Sequence, residues 1–180
     1  AIIADGLELF RSTERLVCAM LGDGGRVSVV PFQDLTEDLA RLVLEWRNDS
    51  RIRQWMDNQD KVSLEHHRQF IRSLSDKRDR QYFVVFSDDH PVGVINLTSI
   101  SSESGEAELG LYRRPDEAGR GYGSLLLAAV EETARTTGLT SLHLKVRLAN
   151  IRACRLYENH GYRRTTTDED YVYMKKELHG

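Results

Sequence analysis

The order of apolar and polar residues along the chain predicts alternating strands and helices. Arg26 to Phe32 (RVSVVPF) alternates with period two and predicts a short strand. Thr36 is a good helix cap, and behind it Leu39, Leu42, Val43 and Trp46 recur on one helical face until Asn48-Asp49 breaks the pattern. A short segment with Ile52, Trp55 and Met56 follows. Ser63 then opens a helix with Leu64, His67, Phe70, Ile71 and Leu74 at core spacing. Gln81 to Phe86 and Pro91 to Ile100 read as hairpin partners around the turn Ser87-Asp88-Asp89-His90, and Glu106 to Tyr112 as a further strand. Gly121 to Thr137 is a long helix stopped by Gly138, Ser141 to Val146 a buried strand, and Asn150 to Asn159 a helix stopped by Gly161. Two last strands, near 162–167 and 171–177, turn at Asp168-Glu169. Ahead of all this, Leu7, Leu9, Phe10, Leu16, Val17, Met20 and Leu21 fall at helical spacing and Gly22-Asp23-Gly24-Gly25 follows. That stretch predicts a helical extension over 1–25, packed on the domain at 26–180 or trailing from another module.

Composition narrows the classes of function. The 180 residues are 40% hydrophobic and carry 25 Lys+Arg against 28 Asp+Glu, a formal charge of -3 that gives nucleic acid no electrostatic welcome. No apolar run approaches a membrane span, and no charged segment leads into an apolar one at the start. Cys18 and Cys154 are far apart and form no CxxC, so neither a disulfide framework nor a metal site is expected. A single α/β domain in a reducing cytoplasm is the expectation, with no nucleic-acid or membrane partner.

The richest stretch is RPDEAGRGYGS, from Arg114 to Ser124, between a predicted strand and a predicted helix. Gly119, Gly121 and Gly123 alternate there, so the backbone can turn tightly and present N–H groups at a helix N-terminus, a site suited to pyrophosphate. A ligand-free tight turn is the bland alternative. A P-loop is excluded because Gly123-Ser124-Leu125 has no lysine, and a dinucleotide fingerprint because no acid stands between Thr140 and Asn150. The second informative stretch is LHLKVRLANIRACRLYENHGY, in which a strand feeds the cap Asn150 and Tyr157 follows two turns later on the same face. In isolation such a tyrosine is ordinary half-buried core.

Together, GRGYGS and NIRACRLYENHGY resemble the pyrophosphate loop and the Asn-x-x-Ala-x-x-x-Tyr-x-x-x-Gly-aromatic helix of the GNAT N-acetyltransferases, with similarity over about residues 27–177. That resemblance implies a central mixed, mostly antiparallel twisted sheet flanked by helices, and acetyl-CoA as cosubstrate without a metal. It implies that backbone groups of Leu111, Tyr112 and Arg113 hold the pantetheine arm and acetyl carbonyl. By the same resemblance Gly119, Arg120, Gly121, Tyr122, Gly123 and Ser124 hold the pyrophosphate, Asn150 contacts the cofactor, and Tyr157 is the general acid. The family often has Gln or Arg where Ala118 stands here, which weakens the grip on the pyrophosphate.

The chemistry is compatible with these residue types. Attack of a neutral amine on a thioester creates an oxyanion that a fixed backbone N–H stabilises. A tyrosine, with an ordinary pKa of about 10, is protonated at neutral pH and can serve the departing thiolate. For the base, Glu108, Glu106 and His67 are candidates, as is a water held by Asn96 or Ser99. The acceptor is a small-molecule amine or a protein N-terminus. Arg47, Arg51 and Arg53 cluster near Trp46 and Trp55, a composition that suits either solvated arginines over packed tryptophans or a nucleotide diphosphate. The series WRN, WM, EHH with Phe70, QYFVVF and PVGVINLTSI resembles the N-acetyltransferases of pseudaminic acid biosynthesis. These act on the 4-amino group of a UDP-linked 4-amino-4,6-dideoxy-N-acetyl-altrosamine. On that resemblance Trp46, Arg47, Arg51, His67 and Tyr82 are the substrate-binding residues. The WRN and E-x-H segments also recur in GNAT enzymes of ribosomal-protein N-termini, whose alanine-acetylating branch tends to carry an acid where Lys145 stands. A non-catalytic acetyl-CoA-binding module is the remaining alternative, and it would have no use for Tyr157 as an acid.

Overall fold

A computed structural model describes residues 2–4, 7–10, 16–20, 26–117 and 119–179. The strands are β1 (Ile2–Ala4), β2 (Leu7–Phe10), β3 (Leu16–Met20), β4 (Arg26–Pro31), β5 (Gln81–Ser87), β6 (His90–Ser101), β7 (Glu106–Arg113), β8 (Ser141–Arg147), β9 (Arg163–Thr167) and β10 (Tyr171–Glu177). The helices are α1 (Glu37–Asn48), α2 (Ser50–Arg53), α3 (Leu64–Ser73), α4 (Tyr122–Thr136) and α5 (Ile151–Asn159). Strands β3 to β10 form an eight-stranded sheet in the order β3-β4-β5-β6-β7-β8-β10-β9, antiparallel except between β7 and β8. No described helix is long and apolar enough to cross a membrane.

Between residues 1 and 25 the described backbone is strand, which corrects the expected helix. β1 pairs with β2, and β3 lies along β4 with Leu16 opposite Val29 and Met20 opposite Arg26. Short apolar runs satisfy either period, and the open edge of β4 offers a backbone ladder that an isolated helix does not have.

The remaining elements begin where their caps stand. Thr36, Asp49, Ser63 and Asn150 each accept a backbone N–H in the first turn of the following helix, stabilising each start by about 1 kcal/mol. Gly138 takes a left-handed φ of +82° just after α4. Period-two alternation splits the sheet into two faces. Val85, Ile95, Leu97, Ala107, Leu109, Leu142, Leu144, Val172 and Met174 pack against the α4 residues Leu126, Leu127 and Val130. On the other face Val30, Val84, Phe86 and Val94 pack against Leu39, Val43 and Trp46 of α1 and Leu74 beyond α3. Each such large side chain contributes about 1.5–3 kcal/mol. Glu131 of α4, almost fully buried, accepts hydrogen bonds from Tyr162 Oη at 3.0 Å and Lys176 Nζ at 2.7 Å, so the C-terminal hairpin is tied to the same helix.

Candidate functional site

β7 and β8 run side by side only from Glu106 to Glu108 and from Ser141 to His143, and beyond that they part. The split leaves one edge of β7 unpaired from Leu109 onward. Arg114 N–H donates to Val92 O at 2.9 Å, toward β6. The antiparallel register from Gly93↔Arg113 to Thr98↔Glu108 is unbroken, so peptide groups alternate between the two sides. Tyr112 therefore turns its backbone to β6, whereas Leu111 and Arg113 turn theirs into the opening. This corrects the expectation for Tyr112: its peptide is committed to the sheet, and only its neighbours offer free donors for an amide-bearing arm or an acyl oxygen. A cavity of about 1010 Å³ fills the opening and runs from the glycine turn to α2 and α3.

At one end lies the glycine turn. Gly119 and Gly121 have φ of +81° and +73°, and Gly121 is the residue before α4. No side chain caps α4, so the N–H groups of its first turn, from Tyr122, Gly123 and Ser124, face the cavity with the helix dipole behind them. A Cβ on Gly123 would come within 3.1 Å of Leu156, so the bare glycine lets α5 close against the start of α4 and joins the two motifs into one site. The turn is braced by Glu117, which accepts from His90 at 2.8 Å and pairs with Arg114 at 3.5 Å. Arg113 is electrostatically strained: burial, with Arg152 and Arg51 nearby, holds its pKa below the usual guanidinium value, and its Nη1 is buried with no described protein partner. Such a group is ready for an anion. Arg120 is exposed and not among the cavity-lining residues, and Ala118 lies outside the described residues.

Tyr157 lines the cavity at 6% exposure, with its ring edge-on to Tyr162 at 5.7 Å. Its hydroxyl bonds to no described protein group, and burial, with Cys154 adding a little, pushes its pKa far above the ordinary tyrosine value. It therefore stays a protonated donor. Asn150 also lines the cavity, but its Oδ1 is engaged by Ala153 N–H at 3.2 Å, which leaves the amide nitrogen for a ligand.

The other end of the cavity is lined from the α1/α3 face of the sheet by Tyr82, Asn96, Thr98, Glu108, Tyr112, Lys145, Arg147 and Tyr171. Glu108 sits at the last paired position before the strands part, with Thr98 Oγ1 donating to it at 3.5 Å. Glu106 is not among the lining residues: it is hydrogen-bonded to Lys175, which holds its pKa below the carboxylate norm. Ser99 is likewise absent from the lining, whereas Asn96 is part of it. His67 borders the cavity but is a structural histidine. Its Nε2–H donates to Ala40 O at 2.9 Å and burial lowers its pKa, so it is neutral. Tyr82 packs edge-on against Phe70 at 4.9 Å, and burial raises its pKa.

Trp46 corrects an expectation. It is 2% exposed in the core beneath Arg114, whose guanidinium carbon lies 5.3 Å from the ring, and it does not line the cavity. Trp55, 38% exposed, does. Arg47 and Arg51 both reach the lining, but Arg51 is engaged by Asp49 at 2.7 Å, which holds that carboxyl down to about 2. Arg47 donates Nη2 to Asn58 O at 2.7 Å and leaves Nη1 buried and unpaired. The sequence reading missed Asp57, Arg147 and Tyr171. Alternation with the core residues Val146 and Val172 puts Arg147 and Tyr171 on the acceptor face and was available as a signal.

An open strand edge, an N-terminal helix turn built from glycines and a buried tyrosine donor are the parts an acyl-CoA thioester requires. A model of the Acetyltransferase (GNAT) family matches residues 40–162, and the chain belongs to that family. It is an acetyl-CoA-dependent N-acetyltransferase. Among particular relatives, it is 31% identical over 144 residues to the acetyltransferase PseH of Campylobacter jejuni, across 79% of this chain and 88% of that protein. The crystal structure of C. jejuni PseH with acetyl coenzyme A superposes with a TM-score of 0.71 at 23% identity, over 85% of this chain and 99% of the other. Spermidine N-acetyltransferase from Vibrio cholerae, solved with CoA and spermine, gives a TM-score of 0.76 at 18% identity, over 84% of this chain and 95% of the other. At these identities the structural likenesses are of fold.

Proposed function

We propose that the acceptor is the 4-amino group of a UDP-linked amino-dideoxy sugar, acetylated in pseudaminic acid biosynthesis, with Tyr157 as general acid and Glu108 as general base. The observation that carries this reading is the charge of the acceptor end. Arg47, Arg51, Lys145 and Arg147 stand there against Asp57 and Glu108 on the walls and Asp49 behind Arg51, and Arg47 keeps a buried donor without a described partner. A polyamine would meet like charge there, whereas a diphosphate would meet guanidinium groups. The kinship with PseH supports the same choice. A cytoplasmic setting, where acetyl-CoA is available, follows from this reading.

The residues divide the work as follows. The N–H of Leu111 or Arg113 holds the thioester oxygen as it gains charge. The neutral amine attacks the acyl carbon, the C–N bond forms, and the C–S bond then breaks with the electron pair leaving on sulfur. Tyr157 donates its proton as charge builds there, since burial makes it a weak acid toward the intact thioester. Glu108, directly or through water near Asn96, takes the proton from the ammonium formed by attack.

UDP alone is expected to compete with the amine substrate but not with acetyl-CoA. Its inhibition should weaken about tenfold or more in Arg47→Ala, because a charge-assisted hydrogen bond contributes about 1.5–3 kcal/mol. Inhibition constants against each substrate decide the matter. Indifference to millimolar UDP would favour a peptide acceptor.

A further inference from the structure

The segment between α2 and α3 is strung across the acceptor end by three arginines that donate to its backbone carbonyls. Arg47 Nη2 bonds Asn58 O at 2.7 Å, Arg53 Nη1 bonds Gln59 O at 2.9 Å, and Arg147 Nη2 bonds Met56 O at 2.9 Å. Between these points Asp57 pairs with Lys145 Nζ at 2.8 Å and accepts the Tyr171 hydroxyl. Arg147 is thus fixed twice, by the Met56 carbonyl and by the Tyr171 ring, whose centroid lies 5.1 Å from its guanidinium carbon.

Each of the three arginines keeps one buried nitrogen with no described protein partner, Arg47 Nη1, Arg53 Nε and Arg147 Nε, and of the three Arg47 and Arg147 line the cavity. Arg147 Nε is shielded from solvent and hydrogen-bonds to no described protein group, although the side chain lines the cavity. A charged N–H removed from water and left unpaired is costly, and on a cavity wall a bound water or a ligand anion relieves that cost. The nearby acid cannot serve, since Asp57 is already shared by Lys145 and Tyr171. Arg47 Nη1 is unpaired in the same cavity and arrives from α1, whereas Arg147 arrives from β8. A planar carboxylate is met by one guanidinium fork. Single donors on two walls instead suit an anion with acceptor oxygens in several directions, as a phosphate has.

We propose that Arg147 is a specificity-determining residue whose Nε binds a phosphate oxygen of the acceptor from the β8 wall, held in place for that contact by Met56 and Tyr171. The proposal rests on the sugar-nucleotide reading above and extends it to a residue outside the sequence motifs. It makes the protein select phosphate-linked amines over the same amines free.

The test compares kcat/KM for a UDP-linked 4-amino sugar with that for the same amino sugar lacking the nucleotide, in the parent protein, Arg147→Lys and Arg147→Met. Acetyl-CoA affinity measured on each variant reports that the fold is intact. Lysine keeps the charge but has no Nε donor. The preference for the UDP-linked acceptor is therefore expected to shrink about tenfold in Arg147→Lys and further in Arg147→Met, with acetyl-CoA affinity retained. Equal losses on both acceptors would overturn the proposal and reduce Arg147 to a tether for Met56. An unchanged preference would overturn it as well. Failure of the parent protein to acetylate any UDP-linked amino sugar would remove the underlying reading too, and that result shows before any substitution is made.

Discussion

Tyr157→Phe is expected to lower kcat by about 10²–10⁴-fold while leaving acetyl-CoA affinity near that of the parent protein. The ring stays in its packing against Tyr162, and only the hydroxyl, which bonds to no described protein group, is lost. Nothing structural depends on that oxygen, so a loss of rate with an unchanged melting temperature isolates its chemical role. Glu108→Gln is the counterpart on the other side of the thioester, with kcat falling and acetyl-CoA affinity again retained. Pre-steady-state release of free CoA thiol separates the chemical step from product release. An unchanged rate of that step in Tyr157→Phe would remove the tyrosine from the mechanism.

The second large effect is expected at the glycine turn. Gly121 sits at φ +73°, a conformation that a β-branched residue resists, and a Cβ there would meet no described protein atom within 4 Å beyond its chain neighbours. Valine would therefore act through the backbone, rotating the free N–H groups at the start of α4 away from the pyrophosphate. Strain of about 1–3 kcal/mol corresponds to roughly 10- to 100-fold weaker acetyl-CoA binding. Gly138, at φ +82° beyond the far end of the same helix and equally open, supplies the control. Gly138→Val should cost comparable stability and leave acetyl-CoA affinity intact. Calorimetric titration of both variants with acetyl-CoA is the measurement, and equal affinities would show that the turn does not hold the cofactor.

The parts of the fold that were legible in the sequence are those where local chemistry and tertiary context agree. Thr36, Ser63 and Asn150 cap the helices whose starts they mark, and the positive φ of Gly121 and Gly138 brackets α4. Tyr157 and the glycine turn stood out together through their resemblance to the GNAT motifs, and the fold brings both to the wall of one cavity. The misreadings are equally physical. Leu16 to Met20 reads at either period, and the decision belongs to the edge of β4, which no local pattern reveals. Trp46 and Trp55 have the same composition around them, yet α1 turns the first into the core and the second lies on the cavity wall. The family resemblance makes Tyr112 a backbone donor like its neighbours, but the sheet register, which depends on β6, turns its peptide to the other side. Asp57, Lys145 and Tyr171 come from three distant segments, and only the folded sheet brings them together.

The most direct test of the acceptor is an assay of the parent protein with acetyl-CoA and a matched panel: a UDP-linked 4-amino-4,6-dideoxy sugar, a polyamine, and peptides beginning with Ala or Ser. Free CoA thiol and the mass of the acceptor are followed together. The cationic acceptor end, with its unpaired buried Arg47 donor, predicts thiol release stoichiometric with N-acetylation of the UDP-linked sugar and little with the polyamine. Acetylation of a peptide or the polyamine in preference to the UDP-linked sugar would contradict it.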